Sequence, residues 1–247
     1  MAYKLLDAGK IIRTLESLQV RIDERFPASG LGNVCGEITE LAREAKVGSI
    51  ELTKPIVPLR VGLWALIALL VSGLAGILVQ WGRSIDFRLR SLSFPELVQA
   101  LEAATNELVL IGIALAFLVT WERRIKRRRA LRVLHELRSI AHIVDMHQLT
   151  KDPAHKLFVV ERTHSSPDRS MTAGQLSRYL DYCTEMLSLI GKIAALYAQR
   201  FDDSVVLSSV NEVELLTASL SQKIWQKLTI LESPEGTALG GSQEIAR

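Results

Sequence analysis

Apolar positions recur along this chain in two ways, as periodic stripes and as unbroken runs. In residues 3–26, YKLLDAGKIIRTLESLQVRIDERF, Leu5, Ala8, Ile12, Leu15, Ile22 and Phe26 fall on one face of a helix. PASGLGN interrupts that helix, and VCGEITELAREAK (34–46) starts a second with Val34, Ile38, Leu41 and Ala45 aligned. Towards the C-terminus, residues 172–201 line up Leu176, Leu180, Cys183, Leu187, Ile190, Ala194 and Tyr197. Residues 203–231 do the same with Val206, Val210, Val213, Leu220, Ile224 and Leu231, and Asp202 or Asp203 is placed to cap that helix. A few residues join these last two, which predicts an antiparallel helical hairpin. Helices with one apolar stripe need partners, so the four predict a bundle.

The unbroken runs lie between these stripes. VGLWALIALLVSGLAGILVQW (61–81) carries no charge over 21 residues. As a helix it rises about 31 Å, enough to cross a hydrocarbon core of roughly 30 Å. LVLIGIALAFLVTW (108–121) is shorter, but ALEAATNE precedes it in helical register and extends the span backwards. Trp64, Trp81 and Trp121 sit near the ends of the runs, where indole rings favour an interface. Glu107 borders the second run; a place inside the membrane would be a functional hint, and the simpler expectation is the outer interface. Between Phe94 and Asp152 there is one proline, Pro95 in a first helical turn, and one glycine, Gly112. That predicts a single helix from about Phe94 to about Gln148, opened by a capping box at SFPE (93–96).

The fold class that follows is an all-α membrane protein, a two-helix transmembrane hairpin carrying a cytosolic helical bundle formed by N- and C-terminal segments. The expected divisions are 1–54 for the N-terminal helices, 55–122 for the hairpin with spans near 57–81 and 104–122, 123–232 for the C-terminal helices, and 233–247 for a disordered tail. LFVVER (157–162) is the one strand-like stretch.

Charge sets the orientation. The whole chain is only +3, yet RRIKRRRALR (123–132) carries seven basic residues, leaving the remainder net negative. Arg123, Arg124, Lys126, Arg127, Arg128 and Arg129 follow the second run directly and should face the cytoplasm against anionic lipid heads. The connecting segment 82–106 is less basic, so both termini are expected in the cytoplasm, as in an integral protein of a bacterial inner membrane. A basic load confined to ten residues argues against a general nucleic-acid binder. Cys35 and Cys183 are too few for a disulfide framework. Cys183 lies on an apolar stripe and is expected in the core rather than as a nucleophile.

Candidate chemistry is concentrated in one place. All five histidines, His135, His142, His147, His155 and His164, occur within 30 residues. With Leu134, Leu137, Ala141 and Val144 on the core side, His135 and His142 point away from it. Asp145 lies roughly 60° from His142 round the helix and His147 about 140° away. A divalent-metal site from His142, Asp145, His147 and Asp152 would require the chain to fold back after Met146, and the spacing matches no zinc signature. The simpler reading is a helix C-terminus, where histidine meets the negative end of the helix dipole. Tyr179, Asp181, Tyr182 and Glu185 read as a solvated helix face that can bind a partner.

Phosphate-binding loops and nucleophile elbows are absent from the sequence. The function expected is therefore a non-enzymatic sensor, scaffold or regulatory subunit acting through the bundle, with itself or a protein as partner. A metal-dependent membrane enzyme using the histidine cluster, and a homo-oligomeric channel, are the alternatives.

Overall fold

The structure is a computed structural model that describes residues 5–27, 29–84, 94–151, 153, 164 and 171–232. Among those residues every regular element is a helix: α1 (Ala8–Arg25), α2 (Gly30–Thr53), α3 (Val57–Ser84), α4 (Phe94–Leu149), α5 (Ala173–Ala198) and α6 (Ser204–Glu232). The strand expected at 157–162, the tail from Ser233, and Asp152 and His155 lie outside the described residues.

Local chemistry explains the ends. Asp7 caps α1, its Oδ1 accepting from Gly9 N–H at 2.8 Å. Thr172 and Gln175 close a capping box at the start of α5. Of the two candidate aspartates before α6, Asp203 is the cap, accepting from Val205 and Val206 N–H. Pro55 follows the end of α2 and Pro58 sits in the first turn of α3, where its missing N–H costs nothing. The second helix is longer than the stripe suggested, Gly30–Thr53 rather than 34–46. Its first turn is glycine-rich because the helix meets a neighbour there: a Cβ on Gly30 would come within 2.7 Å of His147 Cε1. Tertiary packing thus overrides a poor helix former.

The chain divides into two compact units, one of Met1–Thr53 with Arg127–Arg247, the other of Lys54–Lys126. The first is a five-helix bundle. The ring of Phe26 sits 5.4 Å from that of Tyr179, Arg21 pairs with Glu185 at 2.6 Å, and Leu6 N–H donates to Gln199, so α1 runs antiparallel to α5. His147 against Gly30 and Arg129 beside Glu51 make α2 antiparallel to the last third of α4. Arg127–Asp203, Arg138–Glu212 and Lys227–Gln148 align α6 parallel to α4. Helix α5 occupies the middle. It buries Leu176, Tyr179, Leu180, Tyr182, Cys183, Met186, Leu187, Leu189, Ile190, Ile193, Ala194, Leu196 and Tyr197, which is most of its circumference rather than one stripe. Tyr179 and Tyr182, expected on a solvated face, are core residues for that reason.

The second unit holds α3 and the apolar part of α4. Glu122 ties them at one end, taking Lys126 Nζ at 2.9 Å, Arg60 Nε at 3.6 Å and the N–H of Ile56 at 3.4 Å. Away from that point large apolar side chains face outwards, with Trp64 68%, Leu69 68%, Leu108 75% and Phe117 62% exposed. One stretch among the described residues, within Gly30–Gly73, holds a window long and apolar enough to cross a membrane, and none of that window is buried.

Candidate functional site

Helix α4 from Arg127 onwards divides cleanly by periodicity. Ala130, Leu134, Leu137, Ala141 and Val144 are buried, while Arg128, Arg132, His135, Ser139, His142, Met146 and Leu149 form an exposed face. The histidine directions read from the sequence therefore hold for His135 and His142.

The three described metal-site candidates, His142, Asp145 and His147, are engaged separately. Asp145 Oδ1 accepts from Gln148 Nε2 at 2.5 Å. Gln148 is itself buried, and its Oε1 and carbonyl take Lys227 Nζ at 2.6 and 2.9 Å. Lys227 also reaches the carbonyl of Lys151 at 3.4 Å, so a cation from α6 satisfies the orphan carbonyls at the end of α4. His147 turns to the other flank, its Nδ1 3.4 Å from the Tyr179 hydroxyl and its ring against Gly30. His142 stays in solvent. Among the described residues no three His, Cys, Asp or Glu side chains converge as a metal site would require.

Packing opens a different site. A groove of about 740 Å³ lies between α2 and α4 beside α1, within the size of small-ligand clefts. Gln19 comes from α1; Gly36, Glu37, Thr39, Glu40, Leu41 and Arg43 from α2; and His135, Glu136, Ser139 and Ile140 from α4. Leu41 and Ile140 supply an apolar floor. Arg43 is held by Glu40 and by Glu16, the latter at 2.7 Å. Glu37 and Glu136 have no ion-pair partner among the described residues, so the rim is net acidic when His135 is neutral. The sequence signal for this groove was faint: Glu40 and Arg43 lie on the side away from the Val34–Ile38–Leu41 stripe and Glu37 on its flank, as on any solvated face.

The chain matches no protein-family model, no curated protein and no solved structure. Its function has to be argued from its own residues.

Both thiols are free and buried. Burial pushes Cys183 up to about 12, and burial with the nearby Asp23 charge does the same to Cys35. Helix α5 carries a carboxyl, Asp181, which burial raises against the opposing pull of Arg178.

The basic run is split by the fold. Lys126 pairs with Glu122, Arg129 approaches Glu51 at 3.8 Å, and Arg127 grips Asp203, with both Nε and Nη2 near 3 Å from its oxygens. Arg123, Arg124, Arg128 and Arg132 are exposed, with no ion-pair partner among the described residues.

Proposed function

We propose that this protein is a membrane-anchored helical module with both termini in the cytoplasm, acting as a non-enzymatic sensor, scaffold or regulatory subunit. One observation carries the reading. The bundle is built from both flanks of the apolar unit, Met1–Thr53 and Arg127–Arg247. Segments that share one core must lie on one side of any bilayer. Residues 54–126 therefore cross it an even number of times, and two crossings use both apolar runs. The outward-facing side chains of α3 and α4 support this, because an apolar surface of that kind needs a cover that water cannot supply. The exposed arginines 123, 124, 128 and 132 then stand where an anionic headgroup layer would meet the chain.

The groove makes the reading one of recognition. An apolar floor under a carboxylate rim suits the basic amphipathic helix of a protein partner, received between α2 and α4.

Cysteine accessibility tests the topology. Ser84→Cys or Ser91→Cys should react with an impermeant maleimide from outside intact cells. The exposed Ser208→Cys should react only after permeabilisation. The native thiols are buried and stay silent, so no cysteine-free background is needed. Labelling of Ser208→Cys in intact cells would overturn the arrangement. A photo-crosslinker at His135 should then trap a partner polypeptide, and Glu37→Lys with Glu136→Lys should abolish that one product.

A further inference from the structure

The apolar unit contains a polar atom that its packing leaves unanswered. Glu107 is half-buried, and its Oε1 is shielded from solvent with no hydrogen-bond partner among the described residues. Burying an acceptor without a donor costs about 1–3 kcal/mol, and more for a charged group.

The level of this carboxyl follows from the Glu122 clamp. Glu122 meets Ile56 and Arg60 at the start of α3. The two helices leave that point together and are rejoined through residues 85–93, a link of at most about 30 Å, which makes them antiparallel. Glu107 lies about 22 Å along α4 from Glu122, which brings it opposite Gly73 on α3. From Gly73 the uncharged run continues for about 12 Å to Trp81. Glu107 is thus inside the span of that run, not at its outer edge. Among the described side chains, the charged groups of the unit stand elsewhere. Arg60, Glu122 and Lys126 are engaged with one another at the clamp, and Glu102, about 7 Å further along α4, is exposed. Arg83 lies about 15 Å beyond Gly73 along α3.

An ionisable side chain inside a membrane helix pair, with no cation to balance it among the described side chains, marks a place where a mobile cation can bind. We propose that Glu107 is a membrane-embedded carboxyl site that takes up a small monovalent cation, a proton or sodium. The proposal rests on the reading of α3 and α4 as membrane-crossing helices. On that footing the carboxyl is a sensing element, its occupancy altering the packing of the two helices.

Carbodiimide labelling of the full-length protein in liposomes tests it, read by peptide mass spectrometry. Dicyclohexylcarbodiimide partitions into lipid and attacks protonated carboxyls; a water-soluble carbodiimide reaches only carboxyls open to water. Glu107 should be modified by the apolar reagent and spared by the soluble one, and Glu107→Gln should lose the label. Sodium that protects Glu107 at fixed pH identifies sodium as the ion. Labelling indifferent to sodium but increasing as pH falls identifies the proton. Modification by the soluble reagent, or none by the apolar one, overturns the site while the maleimide topology can still stand. Recovery of the protein in the soluble fraction would overturn the membrane reading and the site with it.

Discussion

Asp203 joins two structural tasks in one carboxylate, capping α6 and receiving Arg127 from α4. Burial pushes this carboxyl up, but the Arg127 hydrogen bond and the N–H groups of Val206 and Val205 outweigh it and hold the group below the usual aspartate range. Because the folded value is depressed, the contribution to stability is complete above the unfolded value, about 4, and is lost as pH falls through the folded one. Asp203→Asn keeps a competent cap but not the charge, so its unfolding free energy should depend less on pH below about 4 than that of the wild type. Asp203→Ala loses the cap as well and should cost about 1 kcal/mol more than Asp203→Asn in chemical denaturation. A second residue-scale prediction concerns Gly30. Gly30→Ala drives a Cβ into the His147 ring and should destabilise the bundle by about 1–3 kcal/mol. In a His147→Ala background most of that cost should vanish, because the obstructing ring is gone, and a double-mutant cycle reads the coupling.

At the scale of elements, α5 is the organising helix of the bundle. It touches α1 through Tyr179 and Glu185 and α2 through Tyr197, whose hydroxyl lies 3.0 Å from where a Gly48 Cβ would sit, and it packs along α6. Leu187 is fully buried on it, so Leu187→Ala should cost about 2–5 kcal/mol, whereas Leu215→Ala, at a position 62% exposed on α6, should be close to neutral. Thermal unfolding of both variants separates a central helix from a peripheral one. Helix α4 enters the bundle at Arg127 without a break, and Arg132 projects into solvent from it. Arg132→Pro removes a backbone donor and clashes one turn back, costing about 3 kcal/mol or more, while Arg132→Ala should stay within about 0.5 kcal/mol of wild type.

For the whole molecule, the division of the basic run separates two roles that the sequence shows as one. Neutralising Arg123, Arg124 and Arg128 removes exposed charge and no ion pair among the described residues, so on the membrane reading it should disturb orientation and leave the melting temperature of the bundle unchanged. Neutralising Arg127 and Arg129 instead removes the links to Asp203 and Glu51 and should lower that temperature. Maleimide labelling and thermal unfolding of the same two variants distinguish the roles; a matched loss of orientation in both would show that only total charge matters.

Periodicity and punctuation alone determined the helical class, the long element ending at Leu149 and the side of α4 on which His135 and His142 stand, because these depend on residues within a few turns of each other. The uncharged run at 61–81 was equally legible, since its length and composition need no context. Other features depend on which helices meet. The sequence showed α5 with one stripe, and only its central position turned Tyr179 and Tyr182 into core residues. The angles round α4 separated Asp145 from His147, but not that Gln148, held by Lys227, would engage the one and Gly30 and Tyr179 the other. The groove between α2 and α4 exists only once separate helices are placed side by side. A side chain's direction is local, and the sequence carries it; what that side chain meets is set by segments far away in the chain, and that the tertiary structure alone decided.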